Sequence, residues 1–130
     1  MDCRIELIFV PVTDVDRARG FYVDKVGFHL DIEARVAENT RLVQVTPKGS
    51  ACSIAFGEGI TDMTPGTQHS IQIVVADAEA ARVDLVSRGV EAAEVQVLPW
   101  GPSPASPTRT ATDGPAAVWI NDPHRRFQTA

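Results

Sequence analysis

The residues able to do chemistry in this chain are few and scattered. The histidines His29, His69 and His124 stand apart, with no second ligand at helical spacing. No H-E-x-x-H, G-x-S-x-G or phosphate-binding loop is present, which removes the familiar zinc-hydrolase, serine-hydrolase and nucleotide-binding chemistries. Cys3 and Cys52 form no C-x-x-C pair, and both lie in apolar stretches, where a buried thiol behaves as a small hydrophobe. Asp14 and Asp77 each precede a run with helical spacing, so they read as helix caps before they read as acids. Tyr22 belongs to that spacing and reads as a core or dimer-seam residue. What remains is uncharged: the amides Gln44, Gln72 and Gln128, the hydroxyls Ser53 and Ser70, and the indole of Trp119. Groups of this kind bind by stacking and directional hydrogen bonds rather than by acid–base or nucleophilic attack.

Composition limits the partners. The chain has 130 residues, 44% of them hydrophobic, and a net charge of −5 with its Lys and Arg dispersed. Nucleic acid and anionic membrane both call for a basic stripe, so neither is an expected partner. No apolar run approaches the ~20 residues of a membrane helix. No basic start followed by an apolar segment marks a signal peptide, so a reduced cytoplasm is the expected setting.

An internal repeat positions these groups. Leu7 to Gly27 (LIFVPVTDVDRARGFYVDKVG) aligns with Ser70 to Gly89 (SIQIVVADAEAARVDLVSRG), setting Asp14 against Asp77, Ala18 against Ala81 and Val23 against Val86. One residue of slippage then brings Gly27 against Gly89. Each copy reads as a β-branched strand (Ile5–Val12; Ile71–Val75), a capping aspartate and a helix of about ten residues. A cation follows in the last turn (Lys25; Arg88), then a glycine suited to a left-handed stop. Further strands are expected at Gly27–Ala34, Arg41–Thr46 and Ala51–Gly57, and at Val90–Leu98, Ala116–Asn121 and Arg126–Thr129. The chain is therefore predicted to be α+β, two β-α-β-β-β modules (about 1–58 and 68–130) joined by a linker at 59–67 that contains Pro65. The segment 101–114, with three prolines and no periodicity, reads as a loop beside Trp100.

Three stretches carry a family resemblance. PVTDVDRARGFYVDKVGF resembles the opening module of the vicinal-oxygen-chelate (glyoxalase/bleomycin resistance/dioxygenase) superfamily, and IVVADAEAARVDLVSRGV resembles its partner. NDPHRRFQ is similar to the turn before the family's last strand, without its usual Gly-Asn. The resemblance implies one glyoxalase-like domain whose mixed sheets curl into a cup, often closed as a homodimer. It also implies a metal chelating vicinal oxygens of the substrate, held by residues on the first and last strand of each module. Those positions fall here at Leu7, Ser70, the Ser53/Ala55 pair, and Gln128 or Thr129. Only Gln128 is a possible ligand. Strand alternation puts His69 and Glu6 on the opposite face from Ser70 and Leu7, and Glu58 lies past its strand.

Alternation also names a cup lining. Cys52, Ile54, Phe56, Val43 and Val45 should pack on helices. Leu7, Phe9, Leu42, Gln44, Thr46, Ser53, Ala55, Ser70, Gln72, Trp119, Asn121 and Gln128 should face the cup. The leading expectation is a metal-independent protein binding a small neutral organic molecule through Leu7, Phe9, Gln44, Ser53, Ala55, Ser70, Gln72, Trp119 and Gln128. Two alternatives stand beside it. One is a lyase, isomerase or dioxygenase using Zn, Ni, Mn or Fe on rearranged ligands drawn from Glu6, His69, His124 and Gln128. The other is a site-less paralogue acting through its dimer surface.

Overall fold

A computed structural model describes residues 1–65, 67–68, 71–73, 75–97, 116–122 and 125–129; for 72, 96, 97 and the two segments from 116 onward it describes the backbone alone. The chain divides into two compact units, Met1–Gln68 and His69–Ala130.

The first unit runs β1 (Leu7–Phe9), α1 (Val15–Arg19) continued by a π-helical turn (Gly20–Lys25), β2 (His29–Ala37), β3 (Thr40–Thr46) and β4 (Ser53–Glu58). Its sheet order is β1-β4-β3-β2, with β1 parallel to β4 and the other pairs antiparallel. The second unit runs β5 (Gln72–Ile73), α2 (Ala78–Ser87), β6 (Glu91–Ala92), β7 (Gln96–Val97), β8 (Ala116–Asp122) and β9 (Arg125–Thr129), ordered β5-β9-β8-β6, with β7 also on β8. The first strand of each unit lies parallel to its last, so the sequence repeat is a repeat of topology.

Local chemistry explains the matching ends of the helices. Asp14 accepts from the Arg17 amide and Asp77 from the Ala80 amide, each at 3.0 Å, so both serve as caps. Gly27 (φ 86°) and Gly89 (φ 81°) take the left-handed conformation that ends each helix at little steric cost. Beyond the glycine, the Phe28 amide returns to the Tyr22 carbonyl and the Val90 amide to the Leu85 carbonyl. Tyr22 and Leu85 are counterparts in the repeat, and both are buried.

The first helix departs from expectation. Thirteen positions separate Asp14 from Gly27 and twelve separate Asp77 from Gly89. The additional residue falls between Tyr22 and Phe28, within the stretch where the helix widens to π geometry and the Val26 amide reaches back to the Phe21 carbonyl. One inserted residue is thus absorbed as a wider turn while the buried anchors keep their places.

The core of the first unit lies between the sheet and this helix. Val43, Val45, Ile54 and Phe56 from the strands, with Val10 just past β1 and Val15, Ala18, Phe21, Tyr22 and Phe28, are all buried. The Tyr22 ring packs at 5.3 Å on Phe56, 5.8 Å on Phe28 and edge-on at 5.3 Å on Phe21. Burying each such ring contributes roughly 1.5–3 kcal/mol from water removal. At the rim, Arg41 bridges Asp16 (2.8 Å) and Glu33 (3.0 Å), and Glu33 also takes Arg19 at 2.8 Å, tying α1 to β2 and β3.

Three further expectations are corrected. The strand expected at Val90–Leu98 is two short pieces. Ala92 pairs with Ile120 and Gln96 with Ala117, so residues 93–95 hold a one-residue shift of register, and the Ala93 carbonyl bonds to Arg82 instead. Cys3 is exposed rather than buried, and Cys52 is half-buried. Glu58 ends β4 instead of lying beyond it, and faces Arg35 at 3.5 Å. No helix among the described residues is long and apolar enough to cross a membrane.

Candidate functional site

Register decides which residues share a row. In the first unit Leu7 stands opposite Ser53 and Phe9 opposite Ala55, while Gln44 pairs with Ala55 from the other side. Phe9, Ala55 and Gln44 therefore form one row across β1, β4 and β3. Leu7 and Ser53 form the next, and Thr46 joins it through its hydroxyl. Val43, Val45, Ile54 and Phe56 alternate with these residues and fill the helix-side core. The sheet is thus two-sided as expected, with its uncharged positions opposite the helix.

A bulge adds a member that alternation alone misses. Between Leu30 and Ile32 the β2–β3 register shifts, so Leu30 pairs with Val45 but Ile32 pairs with Gln44. Without the shift, Leu30 and Ile32 would share a face. With it, Ile32 extends the Phe9–Ala55–Gln44 row and Asp31 becomes the unpaired residue.

Asp31 ends a hydrogen-bonded chain. Thr46 Oγ1 bonds to Asp31 Oδ2, and Ser53 Oγ lies 2.6 Å from Thr46 Oγ1. His29 Nε2 stands 3.8 Å from the other carboxylate oxygen, with its own side chain 79% exposed. Ser53 is 8% exposed and is the buried polar residue of this face. Sequence reasoning had Thr46 and Ser53 on this face, but it did not identify Asp31. Its signal was faint: an aspartate within an extended run, at the position the bulge expels.

In the second unit Gln72 pairs with Gln128, and Gln128 with Trp119. These three predicted residues form one row across β5, β9 and β8. Through the repeat, Gln72 is the counterpart of Phe9; by register, Gln128 corresponds to Ala55 and Trp119 to Gln44. Asn121 falls on another row, opposite Arg126 and Glu91. Ser70, His69 and His124, with Trp100 and the 101–114 loop, lie outside the described residues. An open depression beside α2, lined by Arg82, Val86, Val90, Glu91, Ala92 and Ala93, contains none of the predicted residues.

The rows of the first unit do not fit a divalent cation. Leu7 and Ala55 offer hydrocarbon, and Ser53 offers a hydroxyl already bonded to Thr46. Among the described residues, no three of the types His, Cys, Asp and Glu come together as a possible ligand set. Asp16, Glu33 and Arg41 are held by the ion pairs that dock α1. The Arg41 guanidinium, by hydrogen bond and charge, keeps Asp16 below its ordinary value. Arg19 and then Arg41 do the same for Glu33. These shifts belong to helix docking and not to the uncharged rows.

The glyoxalase/bleomycin resistance protein/dioxygenase superfamily model matches residues 4–102. A search of curated proteins finds no match. Among solved structures, a glyoxalase/bleomycin resistance protein from Streptomyces sp. CB03234 is similar at 27% identity and a TM-score of 0.74, covering 97% of this chain and 98% of its own. TnmS3, an antibiotic binding protein from the same organism, is similar at 26% identity and 0.77, covering 98% and 94%. A superfamily member from Sphaerobacter thermophilus DSM 20745 shares the fold at 23% identity and 0.75, covering 98% and 96%. The matched sequence spans most of the chain, so this chain belongs to the glyoxalase/bleomycin resistance protein/dioxygenase superfamily.

Proposed function

We propose that this protein binds a small, neutral, partly planar organic molecule on its uncharged sheet rows, without a metal. The observation that carries this reading is the register. In the first unit, the positions where the family resemblance expects metal ligands hold Leu7, Ser53 and Ala55, and their neighbours across the strands are Phe9 and Gln44. An apolar surface with a few fixed amide and hydroxyl groups suits an uncharged ligand. Similarity to an antibiotic binding protein supports the binding of a small organic molecule.

Within this reading the protein is a cytoplasmic homodimer that sequesters or carries its ligand. Sedimentation tests the dimer, and a strictly monomeric protein at micromolar concentration would remove that part. Thermal-shift screening of chelator-treated protein against a diverse library of neutral aromatics tests the binding itself. The reading expects hits that stabilise the protein and saturate. Silence across the library, together with turnover that appears only on adding a divalent metal, would overturn it in favour of a metal-dependent enzyme.

A further inference from the structure

The Asp31–Thr46–Ser53 chain has a direction, and that direction gives the site a preference. A carboxylate can only accept, whereas Thr46 has a single hydroxyl proton. The proton of Thr46 is therefore committed to Asp31 Oδ2. With that proton spent, the 2.6 Å contact between Thr46 Oγ1 and Ser53 Oγ requires Ser53 to donate. Ser53 then has no proton left to offer and keeps its remaining lone-pair capacity. Because the chain ends on a carboxylate, each hydroxyl is polarised by the next, which strengthens Ser53 Oγ as an acceptor.

Ser53 sits opposite Leu7 and two residues before Ala55, within the proposed binding rows. Resting on the ligand-binding reading above, we propose that Ser53 Oγ is the acceptor that selects ligands carrying an O–H or N–H donor. Thr46 and Asp31 are positioning residues that fix the direction of its proton. The Asp31 bulge is the backbone device that supplies the anion at the end of the chain. The preference belongs to the protein: a ligand whose donor is capped by a methyl group loses the bond and crowds the buried hydroxyl, which is only 8% exposed.

Naphthol and its methyl ether, methoxynaphthalene, test this as a matched neutral planar pair, titrated by fluorescence against metal-stripped protein. Wild-type protein should bind naphthol about tenfold more tightly than the ether, the fold-change of one good hydrogen bond. Ser53→Ala should erase the preference by weakening naphthol alone. Asp31→Asn, at a partly exposed position that spares the core, should reduce it, since an amide no longer dictates the proton's direction. Circular dichroism of each variant separates lost binding from lost folding. Equal binding of both probes, an unchanged preference in Ser53→Ala, or no saturable naphthol binding by wild type would each overturn this inference. The broader reading falls separately, on silence across the whole library together with metal-dependent turnover.

Discussion

Tyr22 and Leu85 hold the same place in the two halves of the chain: each is buried, and each carbonyl receives the amide that follows the helix-ending glycine. The paths back to those carbonyls differ by one residue, and the longer path is the π-helical one. Asp24 is exposed and lies on the longer path. Deleting it restores the spacing of the second module. We expect a folded protein whose first helix closes as an ordinary α-helix, within about 1 kcal/mol of wild type. Amide exchange across residues 20–28 checks this, and global loss of protection would contradict it.

Much of this was legible in the sequence, for identifiable reasons. Capping aspartates, stopping glycines and the alternation of Val43, Val45, Ile54 and Phe56 are local signals, and local signals repeat. The two-module α+β architecture followed from them. Register is not local. Nothing in HLDIEARVA announces that the ladder shifts after Leu30, so Ile32 and Asp31 escaped notice. The Val90–Leu98 run likewise conceals a shift at 93–95, where Arg82 takes the Ala93 carbonyl. Pairing Gln128 rather than Thr129 with Gln72 also needed the observed register.

The hydroxyl chain predicts energetic coupling between Thr46 and Ser53. Thr46→Val leaves the buried Ser53 hydroxyl without its acceptor and should cost about 1–3 kcal/mol. Ser53→Ala leaves the Thr46–Asp31 bond in place and should cost about 1 kcal/mol or less. The double variant should then be more stable than the sum of the two losses, by about 1 kcal/mol. Urea unfolding of the four proteins measures this, and strict additivity would refute the coupling.

The ion pairs that dock α1 predict acid sensitivity. Asp16 and Glu33 titrate in the folded protein below their ordinary values of 3.8 and 4.5. The unfolded chain therefore takes up protons first as pH falls. The stability these carboxylates contribute is fully present above those ordinary values and is lost as pH drops through the folded ones. Arg41→Gln removes the main cause of the Asp16 shift, leaving the smaller pull of Arg19, and one cause of the Glu33 shift. Its stability curve should be flatter below pH ~4.5 than that of wild type. Parallel curves for the two proteins would show that Arg41 does not set the titration.

Gly57 predicts a steric limit in β4. A Cβ there would meet the Arg41 carbonyl oxygen at 1.8 Å, a backbone atom that cannot swing aside. Gly57→Ala should force β3 and β4 apart and cost about 3–5 kcal/mol. The midpoint of thermal unfolding reports this. A loss under 1 kcal/mol would mean that the pair opens more easily than its register implies.

The rows built on Leu7, Phe9, Gln44, Ser53 and Ala55 are proposed to bind a neutral organic molecule without metal. The most direct measurement is calorimetric titration of one library hit into protein before and after exhaustive chelation, with elemental analysis of both samples. We predict the same affinity in both, no stoichiometric metal in either, and at least a tenfold loss of affinity in Gln44→Leu. Stoichiometric Zn, Ni, Mn or Fe in the first sample, with binding that vanishes on its removal, would instead make the protein metal-dependent.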